Sequence, residues 1–247
     1  MKKGFVFLII ALFLSGCFYS VPTSDNFEAK PIQTSHLSIA VWEKNTIQKG
    51  KPLRLYFEGN GNPNPRYTIA FDFARRDSSS NVIYIAQPCQ WVNDKICKKK
   101  PEIYNDSRFH REIMDQMKEL VEYLIRKHQA PSIELIGYDG GAVIALNIAS
   151  SLPTTRLITI AGITDIDAYN TYHDLPLQEE EQQENPADNL LVLSKIPQIH
   201  YVGKDDDITP KILVEKFVSK MKNPTSAVVK VVPDTNHTNW EGIKLDY

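Results

Sequence analysis

Alternation of apolar and polar positions at Leu37, Ile39 and Val41 predicts an outer strand with one face on a core. Short apolar runs at 53–57, 81–86, 133–136, 157–161, 198–202 and 227–232 predict six further strands. Between them the spacing changes from two to three and four. Residues 67–76 predict a short helix. A longer one begins near Asp106, a residue suited to an N-cap, and carries Phe109, Ile113, Met117, Leu120, Leu124 and Ile125 on one face. The run 142–149 is apolar nearly all round, which predicts a buried helix, and 210–221 predicts a last one with Pro210 in its first turn. Strands that alternate with helices form βαβ units. The predicted architecture is therefore a three-layer α/β/α sandwich on a mostly parallel sheet of about eight strands. Residues 162–195, with Glu179, Glu180 and Glu181 among them, lack such spacing and predict an irregular excursion over the strand ends. That is short for a cap domain, so the cap is short or absent.

The N-terminus departs from this pattern. Lys2 and Lys3 precede an apolar run from Phe5 to Leu14, followed by Leu14-Ser15-Gly16-Cys17. The run is too short to span a bilayer and has the form of a secretory signal peptide, and its end resembles a bacterial lipobox, which implies cleavage before Cys17 and lipid on that thiol. The expected organisation is a signal peptide over 1–16, a lipid-anchored tether over 17–34 with Pro22, Thr23, Ser24, Asp25 and Asn26, and one domain over 35–247. The expected location is the bacterial cell envelope, at the outer membrane and facing the periplasm.

The 247 residues carry 28 basic and 30 acidic side chains, a net charge of -2, without a basic block beyond Lys98-Lys99-Lys100, which argues against nucleic acid as a partner. Of three cysteines, the lipobox takes one. Cys89 and Cys97 remain, eight apart, and an oxidising envelope would close them into a disulfide loop around Trp91. No second Cys/His pair stands at ligand spacing near them, so no metal is expected.

In a parallel sheet, reactive groups gather in the loops that leave the carboxyl ends of strands. Four such loops carry candidate chemistry: Glu58-Gly59-Asn60-Gly61, Gly137-Tyr138-Asp139-Gly140-Gly141, Gly203-Lys204-Asp205-Asp206-Asp207-Ile208-Thr209-Pro210, and Asn236-His237-Thr238. Gly59 and Gly61 do not complete a dinucleotide fingerprint, because Asn64 stands where the third glycine belongs. Asp205-Asp206-Asp207 lacks the glycine and terminal Glu of a calcium loop, which leaves a solvated loop with one buried acid.

From about Leu53 to Trp240 these loops resemble the α/β-hydrolase superfamily, in its chain order of nucleophile, acid and histidine. More narrowly, Tyr56-Phe57-Glu58-Gly59-Asn60-Gly61, Pro88-Cys89-Gln90 and residues 105–109 resemble a group of bacterial envelope lipoprotein hydrolases whose elbow reads Gly-Tyr-Ser-Gly-Gly. The resemblance implies Asp139 at the nucleophile position, Asp206 as acid and His237 as base. It also implies an oxyanion loop at Gly59, Asn60 and Gly61. Tyr138 beside the elbow is expected to donate into the pocket, Gly140 to border it, and His173 in the excursion to line it. His36, His110, His128 and His200 are expected to be surface or core residues.

This elbow holds aspartate in place of serine, so a serine-hydrolase mechanism does not carry over. The superfamily includes enzymes in which an aspartate attacks an sp3 carbon, although those place Trp after the Asp where this chain has Gly140. The favoured expectation is a cofactor-free hydrolase of a small ester-like or alkyl electrophile. The alternative is a degenerate site, in which two carboxylates around His237 raise its pKa and disable it as a base. The protein would then be a ligand-binding or structural envelope lipoprotein.

Overall fold

The computed structural model describes residues 21–59, 67–100, 109–176, 183–222 and 226–247. The expected signal peptide, Cys17, Asn60, Gly61, Asn64, Asp106 and Glu179, Glu180 and Glu181 lie outside the described residues.

The strands are β1 (Phe27–Gln33), β2 (Ser38–Lys44), β3 (Leu53–Phe57), β4 (Val82–Ile85), β5 (Ile133–Tyr138), β6 (Thr154–Ile160), β7 (Gln198–Gly203) and β8 (Ala227–Val232). They form one sheet in the order β1-β2-β4-β3-β5-β6-β7-β8. β1 and β2 pair antiparallel with each other, and β2 antiparallel with β4, while every other pairing is parallel. The expected eight-stranded, mostly parallel sheet is therefore present.

The period of two along β3 divides the core. Leu53, Leu55 and Phe57 join one apolar layer, with Ile113, Met117, Leu120 and Leu124 of helix α3 (Arg111–His128) and Phe217 of α7 (Lys211–Ser219). Tyr56 points to the other face, where Trp42, Tyr84, Phe71 and Phe73 of α1 (Ile69–Arg76) and Trp240 pack together. All nine residues of α4 (Gly141–Ala149) are buried, which explains a helix without a polar face. Cys89 and Cys97 form the expected disulfide, with Cα atoms 5.8 Å apart, beside the five-residue α2 (Lys95–Lys99). By the loop-entropy model such a link contributes about 2 to 3 kcal/mol.

Several expectations are corrected. The tether assigned to 17–34 overlaps β1, an edge strand that hydrogen-bonds on one side only and buries just Phe27 and Ile32, so its outward residues erase any sequence periodicity. α3 starts at Arg111, capped by the His110 ring, whose Nδ1 accepts the Glu112 N–H at 3.1 Å, and Phe109 is buried in the turn before it. Pro210 is the N-cap of α7 in an extended conformation and not a residue of its first turn. The stretch 162–195 is not wholly irregular: it contains α5 (Ile166–Tyr172), a 3-10 turn (Pro186–Asn189) and α6 (Leu190–Leu193). Asp165 and Asn185 start α5 and the 3-10 turn by accepting the Ala168 and Ala187 N–H groups. Local capping therefore supplies the order that apolar spacing did not announce.

His200 of β7 is fully buried, its Nδ1 2.8 Å from the Thr159 hydroxyl, and burial lowers its pKa to about 4. The unfolded chain takes up that proton near the ordinary histidine value, so this residue favours folding above that value and opposes it as pH falls towards 4. His200→Gln is expected to flatten the loss of stability between pH 6.5 and pH 4 by about 3 kcal/mol, read from urea melts across that range. Parallel pH profiles for parent and variant would contradict it.

Candidate active site

Three strand ends bring Asp139, Asp206 and His237 together. β5 delivers Asp139 into the turn before α4 with φ of 49°, a left-handed conformation that costs an L-residue strain and that aspartate tolerates better than most. The turn is closed by glycines: a Cβ on Gly137 would stand 2.4 Å from the Gly141 carbonyl, and one on Gly141 would stand 2.3 Å from the Phe57 carbonyl. The Asp139 N–H donates to Ile160 O (3.1 Å), and its carbonyl accepts from Ala142 N–H (3.1 Å) and Ile163 N–H (3.2 Å). The elbow is thus tied to the exit of β6 as well as to its own helix.

Asp206 leaves β7 and is 5 % exposed, while Asp205 and Asp207 on either side are exposed, so the three carboxylates do not converge. Its Oδ1 accepts the Ile208 and Thr209 N–H groups at 2.9 Å each, and its Oδ2 accepts the Thr209 hydroxyl at 2.8 Å. Burial pushes its pKa up, but the bonds from His237 and Thr209 outweigh it and hold the carboxyl below the usual range.

His237 Nδ1 lies 3.1 Å from Asp206 Oδ2, and its Nε2 lies 3.6 Å from Asp139 Oδ1. Two donors fix its backbone carbonyl: Trp240 Nε1–H at 2.8 Å and the Tyr138 hydroxyl at 3.2 Å. Burial lowers the imidazole pKa, but the hydrogen bonds and charges of Asp139 and Asp206 outweigh burial and raise it to about 9. At neutral pH the ring is therefore an imidazolium held between two carboxylates.

Other expected site residues take different places. Tyr138 does not aim its hydroxyl into a pocket, because that group holds the His237 carbonyl. His173 donates from Nε2 to the Ile208 carbonyl at 2.7 Å and stacks near Tyr169 and Tyr172, so it braces the acid loop. Gly59 lies against the elbow, where an added Cβ would meet Asp139 Cβ at 2.8 Å, and its N–H is directed to Glu58 Oε1 at 3.0 Å. Gly140 is the N-cap residue of α4. Thr238, Asn239 and Trp240, which follow His237 in the chain, line a cleft of about 570 Å³ with Tyr67, Ile69 and Arg75, but Asp139, Asp206 and His237 are not among its lining residues.

Thr209, Trp240 and Glu58 were not singled out from the sequence. Thr209 lies within the acid loop 203–210, and Glu58 opens the loop that follows β3. Trp240 follows His237 by three, a spacing that signals nothing before the loop is folded.

No family model and no curated protein matches the chain. Solved structures do match. They include an esterase of Pyrococcus furiosus (14 % identity, 87 % of this chain and 84 % of that one, TM-score 0.60). Est1E of Butyrivibrio proteoclasticus matches with 14 % identity, over 85 % and 90 % of the two chains, at a TM-score of 0.61. An α/β serine hydrolase without a lid from Xanthomonas campestris matches with 12 % identity over 89 % of each chain at a TM-score of 0.55. At such identities the likeness establishes the fold: this chain has the α/β-hydrolase fold.

If Asp139 lifts the His237 pKa, Asp139→Asn will move its titration midpoint down towards the ordinary histidine value, while Asp206 still holds Nδ1. The imidazole resonances, followed by NMR across pH 5 to 10, check this, and an unshifted midpoint would mean that Asp139 does not face the ring in solution.

Proposed function

We propose that the protein is a hydrolase of a small alkyl or ester-like electrophile, with Asp139 as nucleophile, His237 as base and Asp206 as the group that orients it. The observation that carries this reading is the placement of the Asp139 carboxylate, at a left-handed elbow, 3.6 Å from the histidine nitrogen that does not face Asp206. A carboxylate is already ionised and needs no base for its attack. One Asp139 oxygen bonds to the substrate carbon as the carbon–leaving-group bond breaks, and the leaving group departs with the electron pair.

The raised histidine pKa then becomes part of the sequence of events. Esterified Asp139 is neutral, so one of the two charges that hold the proton on His237 is gone. His237 loses its Nε2 proton to solvent and accepts one from a water that adds to the ester carbonyl. Collapse of that adduct expels the alkoxide, which takes the proton back, and Asp139 returns as a carboxylate with one solvent oxygen. Asp206 stays ionised throughout and keeps Nδ1 protonated.

Turnover in heavy-oxygen water is expected to place label in the Asp139 carboxylate, and His237→Gln to accumulate a covalent adduct on the Asp139 peptide, both read by mass spectrometry. A second reading is favoured by the imidazolium itself: a histidine clamped by two carboxylates is inert, and the cleft then binds a ligand without reaction. An unlabelled, adduct-free parent with halides, epoxides and esters, together with slow ester hydrolysis gained by Asp139→Ser, would establish that second reading instead.

The proposal extends to location: a lipid anchor on Cys17 holds the domain in the bacterial envelope, facing the periplasm. No helix among the described residues is long and apolar enough to cross a membrane. Mature protein is expected to begin at lipid-modified Cys17 and to sediment with membranes, and Cys17→Ser to abolish that modification. Normal processing and membrane retention of Cys17→Ser would refute the anchor.

A further inference from the structure

The loop that leaves β3 is held by a buried polar brace that has no counterpart in the catalytic scheme. Glu58 has no exposed surface, and its carboxylate accepts the Gly59 N–H at 3.0 Å, the Tyr84 hydroxyl of β4 at 3.0 Å and the Ala70 N–H at 3.5 Å. α1 has no cap from its own N-cap residue, Thr68. Glu58 therefore takes over, from a neighbouring strand, the N–H groups that a capping side chain would satisfy. Burial raises its pKa to about 7, against the pull of those donors.

The two carbonyls of the same loop are also taken. Gln87 Nε2–H donates to Glu58 O, and Gln90 Nε2–H donates to Gly59 O, each at 3.2 Å. The glutamines hold each other, with Gln87 N–H on Gln90 Oε1 and Gln90 N–H on Gln87 O, both at 3.1 Å. Gln90 sits between two left-handed residues, Cys89 at φ of 69° and Trp91 at φ of 62°. Neither is a glycine, so each position costs strain that the surroundings must sustain. The disulfide from Cys89 to Cys97 fixes one end of this turn. What the strained turn accomplishes is to aim a side-chain amide at the carbonyl of the residue wedged against Asp139.

We infer that Gln90, with Gln87 and Glu58, is a positioning residue: the disulfide-pinned turn 87–91 clamps Gly59 against the elbow and so fixes the wall from which Asp139 meets its electrophile. The structural half of this inference stands on the hydrogen bonds alone. Its kinetic half rests on the reading of Asp139 as nucleophile.

Gln90→Met keeps the length of the side chain and removes the donated N–H. Two measurements are made on the full chain. Amide exchange at Glu58 and Gly59 is expected to quicken about tenfold or more, with the amide of Ile136 in β5 unchanged as a control for folding. In the His237→Gln background, alkylation of Asp139 by styrene oxide is expected to show a maximal rate lower by about tenfold or more, with little change in half-saturation, because a displaced wall misplaces the reacting atoms without removing the cleft. Gln87→Met, which frees the Glu58 carbonyl, is expected to act in the same direction and replaces Gln90→Met if that variant does not fold.

Unchanged exchange at Gly59 would overturn the inference, and so would quickened exchange with an unaltered alkylation rate, which would leave the brace purely structural. A parent that styrene oxide never alkylates would count against the nucleophile reading and against the kinetic half of the inference. Exchange at Gly59 would still decide the clamp.

Discussion

The arrangement depends on one buried charge cluster, the His237 imidazolium between the carboxylates of Asp139 and Asp206. Each member would resist burial alone, since transfer of an isolated charge from water is costly. Together they are tolerated because Asp206 receives two backbone N–H groups and a hydroxyl, and because the His237 carbonyl is fixed by Trp240 and Tyr138. The cluster requires three strand ends at once, which explains why the parallel part of the sheet must keep its register. A slip of β5 by one residue would turn Asp139 into the opposite layer.

Much of this was legible in the chain because it is written locally. The helices and inner strands follow apolar spacing, and the site residues stand in loops directly after strands, where a parallel sheet gathers them. Gly137 and Gly141 around Asp139 announced the tight elbow, and the structure gives their reason in the Gly141 and Phe57 carbonyls that any Cβ would strike. Asp206 was separable from Asp205 and Asp207 because it stands three after Gly203 and four before Pro210, the acid position in the resemblance, and it is the buried one of the three.

What was not legible depends on partners distant in the sequence. β1 buries two of seven residues, so its identity as a strand comes from the ladder with β2 and from Phe27 against Phe71 at 5.5 Å, neither of which its own sequence displays. Tyr138 was read as a pocket donor from its place beside the elbow. Its hydroxyl instead bonds a residue 99 positions away. Glu58 and Gln90 are polar residues of a kind usually found at the surface. Only the fold shows that one caps a helix from outside and that the other is directed by a strained turn.

An aspartate at this elbow, compared with a serine in the same place, changes what the histidine must do more than what the fold must hold. A serine at this elbow would need a neutral imidazole at the start, and a single carboxylate at Nδ1 serves that purpose. An aspartate brings a second charge to Nε2 and raises the histidine pKa to about 9, which disfavours a base-first reaction near neutral pH. The same charge is consumed when the carboxylate forms an ester. Under the proposed reaction the site would then pass from two carboxylates to one, and the histidine would become available only after Asp139 has reacted. The proposed reaction would therefore have its order of events set by electrostatics: attack first, proton transfer second. Two carboxylates about His237 suit the order that the proposal requires and do not suit a serine-like one, which needs a neutral imidazole at the start.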